Sequence, residues 1–156
     1  MTGLIAKRLN DLGLELPEVT APGSTYIPTK QMGSILYVSG QVPKVAGVHS
    51  FIGKVGESIS LDEARGAARI CALNLIAQLS AALGGNLDRV KGCVRLRGFV
   101  NAAPDFGAHA AVINGASDLI VEVFGERGRH TRTAIGAGSL PQGVAVEVDA
   151  DFEIEC

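Results

Sequence analysis

The sequence predicts an α+β domain, a mixed β-sheet carrying two main helices on one face. Three observations predict it. Over residues 144–155, Val144, Val146, Val148, Ala150, Phe152 and Ile154 alternate with Glu147, Asp149, Asp151, Glu153 and Glu155, the period of a strand with one buried face. Residues 88–101 alternate in the same way, with Val90, Gly92, Val94, Leu96, Gly98 and Val100 against Lys91, Cys93, Arg95, Arg97 and Phe99. Between the first strands and that one, Ser60-Leu61-Asp62-Glu63 is a capping box that opens a long helix.

The elements follow in order. Leu4, Ile5, Leu9 and Leu12 have helical spacing and Gly13 offers a stop, so residues 3–12 read as a short amphipathic helix. Residues 16–33 hold Pro17, Pro22, Gly23, Pro28 and Gly33 and read as extended or looped, with a short strand near Tyr26. Residues 34–39 form a β-rich run between two glycines, and residues 43–56 a glycine-containing loop. The capped helix runs to about Leu83, with Ala64, Ala67, Ala68, Cys71, Leu75, Leu79 and Ala82 as its buried stripe and Gly84-Gly85 as its end. After the strand at 88–101, Pro104-Asp105 opens a helical region reaching Phe124, interrupted at Asn114-Gly115. Residues 131–138 are a further strand and Leu140-Pro141-Gln142-Gly143 a turn. With no repeat and no linker, residues 1–156 are expected to form one domain, with residues 1–14 as an N-terminal helical extension.

Strand–helix–strand connections favour a sheet covered by helices on one face. The other face, with Arg95, Arg97, Phe99 and Glu147, is too mixed for a core and odd for bare solvent. Assembly with further copies would cover it.

Composition excludes several classes. Apolar residues make up 47% and charged residues 19% of the 156, which supports a packed core rather than disorder. The formal net charge is −2, and the basic residues form no stripe. A nucleic-acid partner is therefore not expected. No apolar run approaches the ~20 residues of a membrane span, and the N-terminus lacks the apolar core of a signal peptide. Three cysteines in no metal or redox spacing point to a reducing, cytoplasmic setting. Cys71 lies on the helix stripe and is expected to be inert. Cys93 falls on the mixed strand face, which leaves a reactive role open. His49, His109 and His130 share no metal-ligand spacing, so neither metal nor cofactor is expected. Nucleophile-elbow, zincin, Walker and dinucleotide motifs are all missing.

What remains is the pattern Arg132-Thr133-Ala134, five residues, Leu140-Pro141, four residues, Val146-Glu147-Val148. It resembles the C-terminal signature of the RidA/YjgF family of reactive-intermediate (enamine/imine) deaminases. Ser39-Gly40-Gln41-Val42-Pro43 after an apolar strand resembles that family's Ser-Gly-Gln-x-Pro. Tyr26 and Asn114 stand at the separations of its pocket tyrosine and asparagine. The resemblance covers residues 20–155. The N-terminal helix, residues 45–51 and residues 114–128 resemble a longer branch of the family.

The resemblance implies a chorismate-mutase-like fold, three copies closing into a barrel-like homotrimer, and pockets between subunits. It makes Arg132 the anchor for a ligand carboxylate, a task suited to a guanidinium fork. It makes Glu147 the group that positions or activates water. Tyr26, Ser39, Gly40, Gln41, Asn114, Thr133 and Ala134 would line the pocket. Each has a plainer alternative: a surface arginine, a solvated strand glutamate, an edge aromatic, a strand-ending turn at Gly40, an Asn-Gly turn. Many deaminases of the family carry a cysteine two residues after the arginine, where this chain has Ala134. That departure puts any thiol-assisted step in doubt. The implied activity is hydrolysis of 2-imino or 2-enamino acids to 2-oxo acids and ammonia. Two rivals are a trimer that binds small carboxylates without turnover, and a ribonuclease, which the acidic charge disfavours.

Overall fold

The computed structural model describes residues 3–19 and 25–156. Pro22 and Gly23 of the expected N-terminal loop lie outside the described residues. Helix α1 spans Leu4–Asp11. The first strands are β1 (Thr29–Met32) and β2 (Ile35–Gln41). A two-residue-per-arm hairpin follows, β3 (Lys44–Val45) and β4 (Val48–His49). Helix α2 (Leu61–Ala82) leads to β5 (Val90–Asn101), and α3 (His109–Phe124) to β6 (Thr131–Ala137) and β7 (Val146–Ile154). The main sheet has the order β1-β2-β7-β5-β6. β5 and β6 are parallel, joined by the α3 crossover, and the other pairs are antiparallel. The sheet is therefore mixed, as the strand–helix–strand order predicts. No helix among the described residues is long and apolar enough to cross a membrane.

The capping box forms as expected: Glu63 N–H donates to Ser60 Oγ, and Ser60 N–H donates to Glu63 Oε2 at 2.8 Å. Burial of α2 follows the expected stripe from Ala64 to Leu79. Ala82 departs from it and is exposed, and Leu83 is buried in its place. Gly84 and Gly85, both at positive φ, then end the helix. Asp88 caps α1 from outside, its two carboxylate oxygens each 2.8 Å from the Leu4 and Ile5 amides. Ile5 and Leu9 are buried.

Four local expectations change. The strand expected near Tyr26 lies at Thr29–Met32, and Tyr26 sits in an exposed bend before it. The loop at 43–56 contains the β3–β4 hairpin, whose turn holds Ala46 at φ 48. Alanine seldom takes that conformation; Gly47 beside it, at φ 83, is the one residue suited to such a turn. On β5 the alternation breaks: Cys93 is buried and Val94 exposed, because the pairing with β7 shifts between Cys93 and Arg95. Burial, with the nearby Asp151 carboxylate, pushes the Cys93 thiol up to about 12. Burial also raises Cys71. Neither thiol is a ready nucleophile.

The fourth change is α3. It begins at His109 rather than at Pro104, since residues 103–106 form a turn closed by Phe106 N–H on Ala103 O at 3.0 Å. It then runs unbroken through Asn114-Gly115. Gly115 is there for contact, not for a turn: a Cβ on it would collide with the backbone oxygen of Arg65 on α2. The two helices are further joined by Arg65–Asp118 at 2.8 Å and Arg69–Glu122 at 2.7 Å. Alanine would gain about 1 kcal/mol of helix propensity over glycine. The clash with a carbonyl that cannot rotate away is larger. Gly115→Ala is expected to cost a net 1–3 kcal/mol or so, read as a lowered midpoint in urea denaturation.

α2 and α3 cover the face that carries Leu36, Val38, Leu96, Val100, Val146, Val148, Ala150 and Phe152, all buried. On the opposite face Arg97 is clasped by two carboxylates of β7. Its Nη1 and Nη2 donate to Asp151 at 3.0 Å each, and its Nε donates to Asp149.

Candidate ligand site

Arg132 pairs with Leu96 in the parallel β5–β6 register, so its side chain leaves the edge strand on the helix-covered side. There it meets α3. Asn114 and Ser117 stand one helical turn apart and present their oxygens together. Arg132 Nη1 donates to Asn114 Oδ1 at 2.8 Å and to Ser117 Oγ at 3.1 Å. Both hydrogens of Nη1 are thereby used. Among the described residues, Nε and Nη2 have no hydrogen-bond partner. That edge of the guanidinium presents two parallel N–H groups, the fork that receives a carboxylate in bidentate fashion.

Glu147 lies elsewhere. It is opposite Phe99 in the β5–β7 register and points to the face away from the helices. Its Oε1 lies against Gly40, where a Cβ would collide with it. Gly40 is available because the β2–β7 pairing shifts between Val38 and Gln41. The carboxyl of Glu147 is half-buried, and burial, then the neighbouring Asp149 carboxylate, raises its pKa. A carboxyl so placed both takes and returns protons more readily near neutrality than an exposed one.

The remaining residues sort between these two places. Ser39 Oγ donates to Ile27 O and Ser39 N–H to Pro28 O, each at 2.9 Å, tying the Tyr26 segment to β2. Gln41 Nε2 donates to the Ser39 and Gly40 carbonyls at 3.1 and 3.2 Å. Tyr26, Gly40 and Gln41 line a groove of about 900 Å³ that continues past Lys44, His49 and Asn74. Thr133 faces the Arg97 side of the sheet. Ala134 aligns with Gly98 and packs partly buried against the core.

Within one chain the candidate residues thus fall in two places. Arg132 and Asn114 are at the β6 edge; Tyr26, Ser39, Gly40, Gln41 and Glu147 are around β2 and β7. β2 and β6 are three strand spacings apart, roughly 14 Å, and Arg132 and Glu147 point to opposite faces. No side-chain motion within one chain unites them.

Two residues of the Arg132 cluster escape motif reasoning. Ser117 is three residues beyond Asn114, and His130 two before Arg132. His130 Nε2 is 2.9 Å from Ser117 Oγ and Nδ1 is 2.6 Å from Gly128 O. Neither belongs to a motif; the packing of α3 beside β6 brings them together.

Comparison with known proteins agrees with this architecture. A family model described as "YjgF/chorismate mutase-like, putative endoribonuclease" matches residues 6–148. Protein TCP17 of Trypanosoma cruzi is 47% identical over 154 residues, covering 98% of this chain and 96% of its own. The crystal structure of Atu1372 from Agrobacterium tumefaciens, a protein of unknown function, is 44% identical with a TM-score of 0.90, covering 97% of this chain and 92% of that one. A protein of Shewanella oneidensis MR-1 carrying the same endoribonuclease description is 38% identical with a TM-score of 0.93, covering 97% and 100%.

Proposed function

The chain belongs to the YjgF/chorismate-mutase-like family, and on that premise we propose that it hydrolyses short 2-imino or 2-enamino acids to 2-oxo acids and ammonia. The observation that carries this reading is the Arg132 guanidinium, pinned through Nη1 with its Nε–Nη2 edge free. The reaction site would form between copies of a homotrimer, where the β6 edge of one chain meets the β2–β7 half-site of the next. The unpaired, partly apolar β6 edge supports such a junction, since Ile135 is 47% exposed on it and exposed edge strands call for a partner.

The chemistry asks for little machinery. The substrate carboxylate sits on Arg132 and its imine carbon faces the neighbouring chain's Glu147. Glu147 takes a proton from water as the oxygen attacks C2 of the protonated imine, giving a neutral carbinolamine. That proton then returns to the nitrogen, the C–N bond breaks, and the departing ammonia takes the hydroxyl proton and leaves as ammonium while the C=O of the 2-oxo acid forms. Imines hydrolyse unaided, so orientation supplies most of the acceleration. Neither Cys71 nor Cys93 takes part, and Ala134 offers no thiol.

The experiment adds the protein to a threonine dehydratase reaction containing semicarbazide. The expected result is faster 2-oxobutyrate formation and less trapped imine. No change at any protein concentration would remove the catalytic reading. The Ala134 position favours one alternative, a trimer that binds small carboxylates and regulates a partner. Calorimetric binding of 2-oxobutyrate beside a silent trapping assay would establish it. The endoribonuclease description of the family has less support here. The formal net charge is −2 and the basic residues form no stripe that could track a phosphate backbone.

A further inference from the structure

We propose that Ser117 and His130 form a positioning relay that fixes the orientation of the Arg132 guanidinium and so sets affinity for the ligand carboxylate. The inference rests on the reading of Arg132 as that anchor.

For a neutral imidazole the hydrogen bonds leave one consistent assignment. The Gly128 carbonyl can only accept, so His130 Nδ1, at 2.6 Å, carries the hydrogen. The neutral ring then has an unprotonated Nε2, which accepts from Ser117 Oγ–H at 2.9 Å. With its hydrogen committed to the ring, the serine oxygen offers its lone pairs to Arg132 Nη1 at 3.1 Å. The second Nη1 hydrogen goes to Asn114 Oδ1 at 2.8 Å. Every donor in the chain from Gly128 to Asn114 meets an acceptor.

The consequence is directional. A lone serine hydroxyl rotates and either donates or accepts. Here the imidazole holds it as an acceptor toward the guanidinium, and the backbone holds the imidazole. Two acceptors on one nitrogen fix the guanidinium plane, and with it the direction in which Nε and Nη2 face. A preoriented fork loses less freedom when the carboxylate arrives. Arg132 is otherwise exposed at the end of a long flexible side chain on an edge strand, so without these contacts it would sample many orientations. Ser117 and His130 touch no reacting atom and are positioning residues.

The test measures 2-oxobutyrate binding by calorimetry in wild type, Ser117→Ala, Ser117→Thr, His130→Ala and Arg132→Ala, with KM, kcat and thermal midpoint alongside. Ser117→Ala is expected to weaken binding roughly five- to tenfold, because the carboxylate must then order a guanidinium that is no longer preoriented. KM should rise with kcat within about twofold, because the contact is equal in ground and transition states. Ser117→Thr keeps the hydroxyl and recovers most of the affinity. His130→Ala, which leaves α3 intact, should show a smaller loss of roughly two- to threefold; it decides the matter should Ser117→Ala fold poorly. Wild-type binding in both Ser117→Ala and His130→Ala, beside lost binding in Arg132→Ala, overturns the relay alone. Wild-type binding in Arg132→Ala overturns the anchor and the relay with it.

Discussion

Arg132→Ala is expected to lower kcat/KM by on the order of 100-fold or more while leaving the thermal midpoint nearly unchanged. The first part follows from the free guanidinium edge. Two charge-assisted hydrogen bonds to one carboxylate contribute about 1.5–3 kcal/mol each. Neither water nor Asn114 replaces them. The second part follows from position. Arg132 is exposed on an edge strand, and its two partners, Asn114 and Ser117, are only half-buried, so water satisfies them when the arginine is gone. Arg132→Lys should recover only part of the loss, because an ammonium is a point charge without the fork. Steady-state kinetics with the coupled dehydratase assay measures both. Undiminished activity in Arg132→Ala would show that the ligand sits elsewhere.

Glu147→Gln is expected to lower kcat by roughly 100-fold, the usual contribution of one general acid–base group, with a weaker effect on KM. The same substitution should make the protein more stable at neutral pH. Burial and Asp149 raise the Glu147 pKa in the folded state, so the folded protein favours the protonated form. The stability associated with that proton is present in acid and is lost as pH rises through the raised folded pKa. Glutamine is neutral throughout. Its thermal midpoint should therefore exceed that of wild type above that pKa, with the difference vanishing in acid. Wild-type activity should fall as pH drops through the same raised pKa, since only the carboxylate accepts a proton from water. A glutamine variant that is less stable at pH 8 and equally active would place Glu147 among ordinary strand glutamates.

Much of this was legible in residues alone. The capping box at Ser60 and Glu63, the alternation ending at Ile154 and the glycines after Leu83 each have a single physical reading, and the structure has them all. The elements that were misread share a cause: tertiary contact overrode local signal. Asn114-Gly115 looks like a turn, yet Gly115 is there because Arg65 crosses close to it. Cys93 looks exposed by counting twos, yet a pairing shift turns it inward. At the site, the motifs that resemble the family single out Arg132 and Glu147 but are silent on geometry. That the two point to opposite faces of one sheet emerges only from the register. Ser117 and His130 belong to no motif and become visible only when α3 lies beside β6.

The proposed site needs Arg132 and Glu147 from separate chains, and subunit mixing tests that directly. Arg132→Ala and Glu147→Gln chains, each inactive alone, are unfolded together at equal amounts and refolded. In a trimer with one site per interface, about a quarter of the sites then pair an intact arginine with an intact glutamate. The account predicts recovery of about that share of wild-type activity. A mixture as inactive as its two parents would contradict it.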